Sequence, residues 1–189
     1  EHWYQGTADA VRQNLHYCLR PRPDAVLVLS GDQLYRMNFS DVLSKHEASG
    51  ADLTIATKPV PRDQAGALGI MQVDANRRIV RFVEKPGFGD ALNGLEAPLY
   101  DDERYLASMG IYVFKPEVLQ HLLDNDKSDF GRDIVPAAIE SAHVCSYVFD
   151  DYWRDIGTIG AFWEANLGLA DPLPFFFNDT ATTEIYTLV

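Results

Sequence analysis

This sequence is short of cysteine and of positive charge, and each shortage narrows what the chain can be. Only two cysteines, Cys18 and Cys145, occur in 189 residues, and they stand far apart. Two thiols at that spacing make neither a disulfide framework nor a Cys-rich zinc site, and they fit a reducing, cytoplasmic setting. Lys and Arg number 16 against 28 Asp and Glu, a formal net charge of −12. Nucleic acid and anionic lipid both demand a basic face, so neither is expected as a partner. No apolar run is long enough to span a bilayer, so no membrane association is expected. The opening residues lack the charged and apolar regions of a signal peptide. They also lack an initiating Met, and the chain reads as if cut from the middle of something longer. The five histidines (His2, His16, His46, His121 and His143) have no metal-ligand spacing, and no Ser-His-Asp arrangement can be argued.

What is present is a globular composition. Apolar residues make up 47% and aromatic residues 12%, enough for one domain with a real core. Thr7 is placed to cap a helix through Val11, Leu15 and Leu19, ended by Pro21 and Pro23. The run Ala25 to Leu29 reads as a strand buried on both faces, as in a parallel sheet covered by helices. Ser40 opens a second helix that meets Gly50, and Leu53 to Thr57 is the next strand. This strand–helix–strand unit predicts a crossover connection and an α/β fold. Leu68 to Val73 and Ile79 to Val83 form a hairpin about Asp74-Ala75-Asn76-Arg77. Gly87 to Glu103 is loop chemistry, too long for a passive connection. Leu106 to Phe114 is a strand, Pro116 starts a helix, and Asp133 to Ala142 is another. His143 to Phe149 is a strand, and Thr158 caps a last helix.

Three motifs carry chemistry. Leu29-Ser30-Gly31-Asp32 puts a carboxylate at the end of an apolar strand, where open α/β sheets bind ligands. Phe82-Val83-Glu84-Lys85-Pro86 ends another strand with an acid beside an ammonium. Lys85 suits a phosphate. Glu84 points to the opposite face if the strand stays regular, and reaches the same ligand only if the strand ends or bulges there. Tyr152-Trp153-Arg154-Asp155-Ile156-Gly157-Thr158 sets a second carboxylate just before a Gly turn. Asp32 and Asp155 could share a Mg²⁺ ion, which takes hard oxygen ligands. Each acid also has a plain structural role open to it, as a turn cap, a helix-terminus charge or a partner for Arg154. Gly6-Thr7 could present backbone N–H groups to an anion or simply cap its helix.

Taken with Trp3-Tyr4-Gln5-Gly6-Thr7-Ala8-Asp9-Ala10-Val11 and Ala107-Ser108-Met109-Gly110-Ile111-Tyr112-Val113-Phe114, these strings resemble the bacterial glucose-1-phosphate adenylyltransferases, or ADP-glucose pyrophosphorylases, among the sugar nucleotidyltransferases. The likeness covers residues 1–171. It implies a Rossmann-like α/β fold with a mixed, mostly parallel sheet and helices on both faces, of the nucleotide-diphospho-sugar transferase type and truncated at its N-terminus. It also implies a reaction of ATP with glucose 1-phosphate, giving ADP-glucose and pyrophosphate for glycogen synthesis. By the same resemblance, Asp32 and Asp155 are the Mg²⁺ ligands, Lys85 contacts the sugar phosphate and Glu84 the sugar. Tyr4, Gly69 and Ser108 line the sugar-nucleotide site, and Arg20 aligns with a contact to an allosteric nucleotide. The complete enzyme is expected to be a cytoplasmic homotetramer.

The resemblance also marks departures. The family's Gly-rich nucleotide loop would lie upstream, and its C-terminal β-helix is replaced by a tail. That tail, within residues 172–189, reads as foreign, like a translated sequencing adapter; a native edge strand is the alternative. The fragment by itself is expected to be inactive. Rival readings are a nucleotidyltransferase using UTP, dTTP or GTP, a non-catalytic regulatory subunit of the same fold, and a generic α/β binding domain.

Overall fold

A computed structural model of the chain describes residues 3–20, 22–97, 100 and 103–169. The tail at 172–189 lies outside the described residues, so the question of its origin does too. Among the described residues, no helix is long and apolar enough to cross a membrane.

Helix α1 (Thr7–Leu19) buries Ala8 and Val11. Its cap is not the one its sequence suggests. Gly6 holds the N-cap position without a side-chain bond, and the N–H groups of Ala8 and Asp9 donate to the carbonyl oxygen of Ser128. A Cβ on Gly6 would collide with that carbonyl, so the approach requires glycine. The Thr7 hydroxyl instead accepts the N–H of Phe130 at 3.1 Å. Two N–H groups of the first turn, those of Ala8 and Asp9, are therefore met by the protein itself.

Strand β1 (Val26–Leu29) leads to β2 (Gln33–Tyr35), α2 (Phe39–Ser49) and β3 (Leu53–Pro61). The cap of α2 is Asn38, whose side chain accepts the N–H of Ser40, so the cap lies two residues earlier than expected. At the far end Gly50 adopts φ 64°, the left-handed stop its position predicts. A short helix, α3 (Arg62–Ala65), precedes the hairpin of β4 (Ile70–Val73) and β5 (Ile79–Val83). Its turn is tied by Asp74, whose Oδ1 accepts the N–H groups of Asn76 and Arg78. After a 3₁₀ turn at Gly89–Leu92 come β6 (Arg104–Phe114), α4 (Pro116–Leu122), a π-helical turn at Phe130–Ile134 and α5 (Val135–Ser141). The chain then forms β7 (Val144–Val148), β8 (Trp153–Asp155) and α6 (Ile159–Gly168). As expected, Thr158 caps α6, its hydroxyl accepting the N–H of Ala161.

The α/β class with a mixed sheet is what the chain forms. The six-stranded sheet runs β5-β4-β6-β3-β7, with β1 also on β6. Its weighting differs from the mostly parallel expectation. β3 and β7 pair in parallel, whereas β6 is antiparallel to β1, β3 and β4, and β4 to β5. The long strand β6 is the reason. It lies between β1 and β3, which run in one direction on either side of it, so the crossover through α2 spans an inserted strand. Strand β1 therefore has its pairing on an edge, and only Val26 within it is buried. Periodicity can report burial but not the direction of a neighbour.

Side chains alternate between two faces. Leu53, Ile55, Tyr112 and Phe114 pack with residues of α1, α4 and α5, while Ala56, Met109 and Ile111 share the other face with Phe149. A separate two-stranded ribbon joins β2 and β8, pairing Gln33 with Asp155 and Tyr35 with Trp153.

Candidate functional site

The site begins with a fault in β6. Its register against β3 shifts between Ile55–Tyr112 and Thr57–Ser108, a bulge on the β6 side. Gly110 takes φ 65° there, a conformation open to glycine at little cost. Strand β4 pairs with β6 before this point, at Leu106 and Ala107, and β1 pairs with it after, from Ile111 onward. Two strands share one side of β6 and part at the bulge. Two backbone bonds close the parting: Ser108 N–H to Gly69 at 2.7 Å and Ser30 N–H to Gly110 at 3.0 Å. Between them opens a cavity of about 410 Å³.

Asp32, Asp155, Lys85, Glu84, Gly69 and Ser108 all line this cavity. Tyr4 and Arg20 do not. Tyr4 is half-exposed and its hydroxyl accepts a bond from Asn14 at 3.0 Å; Arg20 is exposed at the C-cap of α1.

The two aspartates converge through the ribbon. The N–H of Ile156 donates to the carbonyl oxygen of Asp32 at 2.9 Å. Asp155 Oδ1 accepts the N–H of Gly157 at 2.8 Å, and Asp32 Oδ1 accepts the Ser30 hydroxyl. Asp32 Oδ2 and Asp155 Oδ1 lie 3.7 and 3.0 Å from the point a Cβ on Gly157 would occupy, so both face one spot above that glycine. Arg154 turns away to pair with Glu164, which sets aside the ion-pair alternative for Asp155.

Glu84 and Lys85 reach the same cavity because the strand has ended. β5 stops at Val83 and Lys85 takes φ 45°, which breaks the alternation that would send the two to opposite faces. The N–H of Lys85 holds the carbonyl of Leu68 at 3.2 Å, fixing the turn beside Gly69. Burial pushes the Glu84 carboxyl above its ordinary value; Lys85 opposes this and Asp129 adds to it. Gly69 makes room for this side chain: a Cβ there would come within 2.6 Å of the Phe82 ring and 2.9 Å of Glu84 Oε2.

Sequence reasoning missed the far wall. Asp129, Phe130 and Gly131 line the cavity from the π-helical turn, and Tyr112 from β6. Phe130 is buried and stacks on Tyr112 with ring centres 5.4 Å apart. Burial pushes the Tyr112 hydroxyl up to about 12, the Glu84 and Asp129 charges adding to it and a hydrogen bond with Ser108 opposing. The string Ser128-Asp129-Phe130-Gly131 carries no periodicity, and its place in the site follows from the contact with α1. The available signal was Tyr112, one strand period beyond Gly110.

The wall therefore holds the acids Asp32, Glu84, Asp129 and Asp155 against one ammonium, Lys85. Among the described residues no group of three or more His, Cys, Asp and Glu is arranged to enclose a metal. The carboxylates of Asp32 and Asp155 both line the cavity as possible oxygen donors.

Comparison with known proteins adds to this geometry. Residues 1–171 match the nucleotidyl transferase family. The chain is 42% identical over 191 residues to the glucose-1-phosphate adenylyltransferase of Paramagnetospirillum magneticum, an alignment covering 92% of this chain and 43% of that protein. It is also 42% identical over 190 residues to the enzyme of the same name from Paraburkholderia phytofirmans, covering 92% and 44%. The chain thus spans less than half the length of these curated relatives.

Proposed function

The chain belongs to the nucleotidyl transferase family, and on that premise we propose that it is the larger part of the catalytic domain of a glucose-1-phosphate adenylyltransferase. The complete protein would join ATP and glucose 1-phosphate to give ADP-glucose and pyrophosphate. The names of the two relatives support this choice of substrates. The observation that carries it is the convergence of Asp32, Asp155, Glu84 and Lys85 on one cavity where β1 and β4 part.

The charge of that cavity fits a divalent cation. Four carboxylates around one ammonium would repel a sugar phosphate and a triphosphate. Asp32 and Asp155 offer hard oxygens on one side only, the arrangement Mg²⁺ uses when phosphates complete its shell. Bound there, Mg²⁺ supplies charge neutralisation for the transferring group and for pyrophosphate. The rest falls to the chain. Lys85 draws the phosphate of glucose 1-phosphate into place as a compact charge. Glu84, held between Gly69 and the far wall, accepts bonds from sugar hydroxyls. Ser108 and the backbone at Gly69 complete the lining beside it. A phosphate oxygen of glucose 1-phosphate then meets the α-phosphorus of ATP in line. No covalent enzyme intermediate is needed, so positioning and electrostatics carry the rate.

The test is product formation by the complete protein with glucose 1-phosphate and each of ATP, UTP, dTTP and GTP. ADP-glucose as the dominant product supports the proposal. Preference for another triphosphate moves it to that rival, and no product with any of them leaves a non-catalytic member of the fold.

A further inference from the structure

We infer that Gly131 is a positioning residue for the sugar subsite, acting through the Glu84 carboxylate; this rests on the reading of Glu84 as a sugar contact. The observation is steric. A Cβ built on Gly131 would stand 2.8 Å from Glu84 Oε2 and 3.2 Å from Glu84 Cδ, with Asp129 Oδ1 at 3.4 Å. The same Oε2 lies 2.9 Å from the Cβ position of Gly69. One oxygen is thus held between two glycines on different elements, and a side chain on either would occupy its place.

Neither wall can retreat. Gly131 belongs to the π-helical turn, whose neighbour Phe130 is buried against Tyr112 and Phe114. The turn is tied to α1 by Phe130 N–H on Thr7 and by Ser128 carbonyl on Ala8. Its own cap, Asp129, accepts the N–H of Arg132 at 2.8 Å. On the other side Gly69 is fixed by its bond from Ser108 and by the Phe82 ring. A methyl group at 131 therefore displaces the Glu84 carboxylate rather than the backbone. A shift of that size at a group meant to hold a sugar hydroxyl weakens ground-state and transition-state binding together.

A double-mutant cycle in the complete enzyme tests this: wild type, Gly131→Ala, Glu84→Ala and the double variant, each assayed for KM of glucose 1-phosphate and for kcat. Gly131→Ala is expected to raise KM roughly tenfold with a much smaller change in kcat. In the Glu84→Ala background the same substitution is expected to change KM by less than about twofold, because the group it would displace is gone. If Gly131→Ala leaves KM unchanged, or if the two effects multiply, the inference is overturned. If Glu84→Ala alone leaves KM unchanged, it is the sugar-contact reading that fails. Should Gly131→Ala fail to fold, recovery of a cooperative melt in the double variant supports the clash with Glu84, and continued failure overturns it.

Discussion

The N–H of Ile156 donates to the carbonyl oxygen of Asp32 at 2.9 Å, and this bond extends the β2–β8 ribbon by one step toward the cavity. Asp32 precedes β2 and Asp155 ends β8, so the ribbon that pairs Gln33 with Asp155 brings both residues to the same end of it, and it is the turn into Gly157, beyond the regular register, that lets both carboxylates approach one point. Trp153 and Gln33 reinforce it through an indole N–H to amide oxygen bond of 2.9 Å. At the ribbon's other end Arg36 grips Asp151 with two nitrogens. The acids are placed by the ribbon's end together with the bonds each carboxylate accepts, Asp32 from the Ser30 hydroxyl and Asp155 from the Gly157 N–H.

Lys85 and Asp32 should fail in different ways. On the proposed reading, Lys85→Ala would remove a charge-assisted contact to the sugar phosphate, and it is expected to raise KM for glucose 1-phosphate about 10- to 100-fold. On the same reading, Asp32→Asn would remove a charge needed as the adenylyl group is transferred, and it is expected to lower kcat by roughly 10²-fold or more. Steady-state kinetics of the complete enzyme separates the two, and unchanged constants in either variant would refute that residue's role.

Gly157 is another place where a missing side chain matters. A Cβ there would sit 3.0 Å from Asp155 Oδ1, tighter than an ordinary contact. Gly157→Ala is expected to raise the Mg²⁺ concentration for half-maximal activity a few-fold while leaving the melting temperature close to that of wild type. An unchanged metal titration would show that Asp155 is not held by this turn.

Glu84 ties function to pH. Burial raises its carboxyl above the ordinary 4.5, so the native state binds that proton more tightly than the unfolded chain. Below 4.5 both states are protonated and there is no cost. As pH rises through the raised native value, the ionised carboxylate increasingly destabilises the fold. Glu84→Gln should therefore melt higher than wild type at neutral pH, with the gap closing in acid, while its KM for glucose 1-phosphate rises. A variant that melts lower at neutral pH would contradict the burial argument.

Asp52 shows the opposite sign. Its carboxylate accepts Lys115 Nζ at 2.8 Å and the N–H of His143 at 2.9 Å, and these bonds, Lys115 first, hold it below the ordinary 3.8. It joins the start of β3 to the end of β6 and the start of β7. Its stabilisation is present above 3.8 and is lost as pH falls through the lowered native value. Asp52→Ala is expected to cost about 1–2 kcal/mol at neutral pH, shrinking in strong acid; urea melts at the two pH values check this.

Much of this site was legible because its chemistry sits at strand ends. Asp32 after an apolar run and Asp155 before a Gly turn are local signals, and so is the Pro86 that stops β5 after Glu84-Lys85. Most of the element order from α1 to α6 followed from periodicity, but the short β2 and α3 were not expected, and the caps of α1 and α2 fall on Gly6 and Asn38 rather than Thr7 and Ser40. What periodicity could not convey was pairing. Nothing in Val26 to Leu29 says that its neighbour is antiparallel, and nothing in Ser108-Met109-Gly110 announces a bulge until β3 lies beside it. The far wall was hidden for the same reason. Phe130 and Gly131 acquire their roles from Thr7 and Glu84, neither of them near in sequence. Tyr4 and Arg20 illustrate the reverse case: both came from resemblance alone, and both lie outside the cavity.

On the proposed reading, Asp32 and Asp155 hold one divalent cation beside Lys85. The most direct test is a crystal structure of the complete protein grown with Mn²⁺ and ADP-glucose, with anomalous scattering used to locate the metal. A single strong anomalous peak is expected within coordination distance of carboxylate oxygens from both aspartates and of the sugar nucleotide's phosphates. A peak bound by only one of them, or a bound sugar nucleotide with no metal between the two, would contradict it.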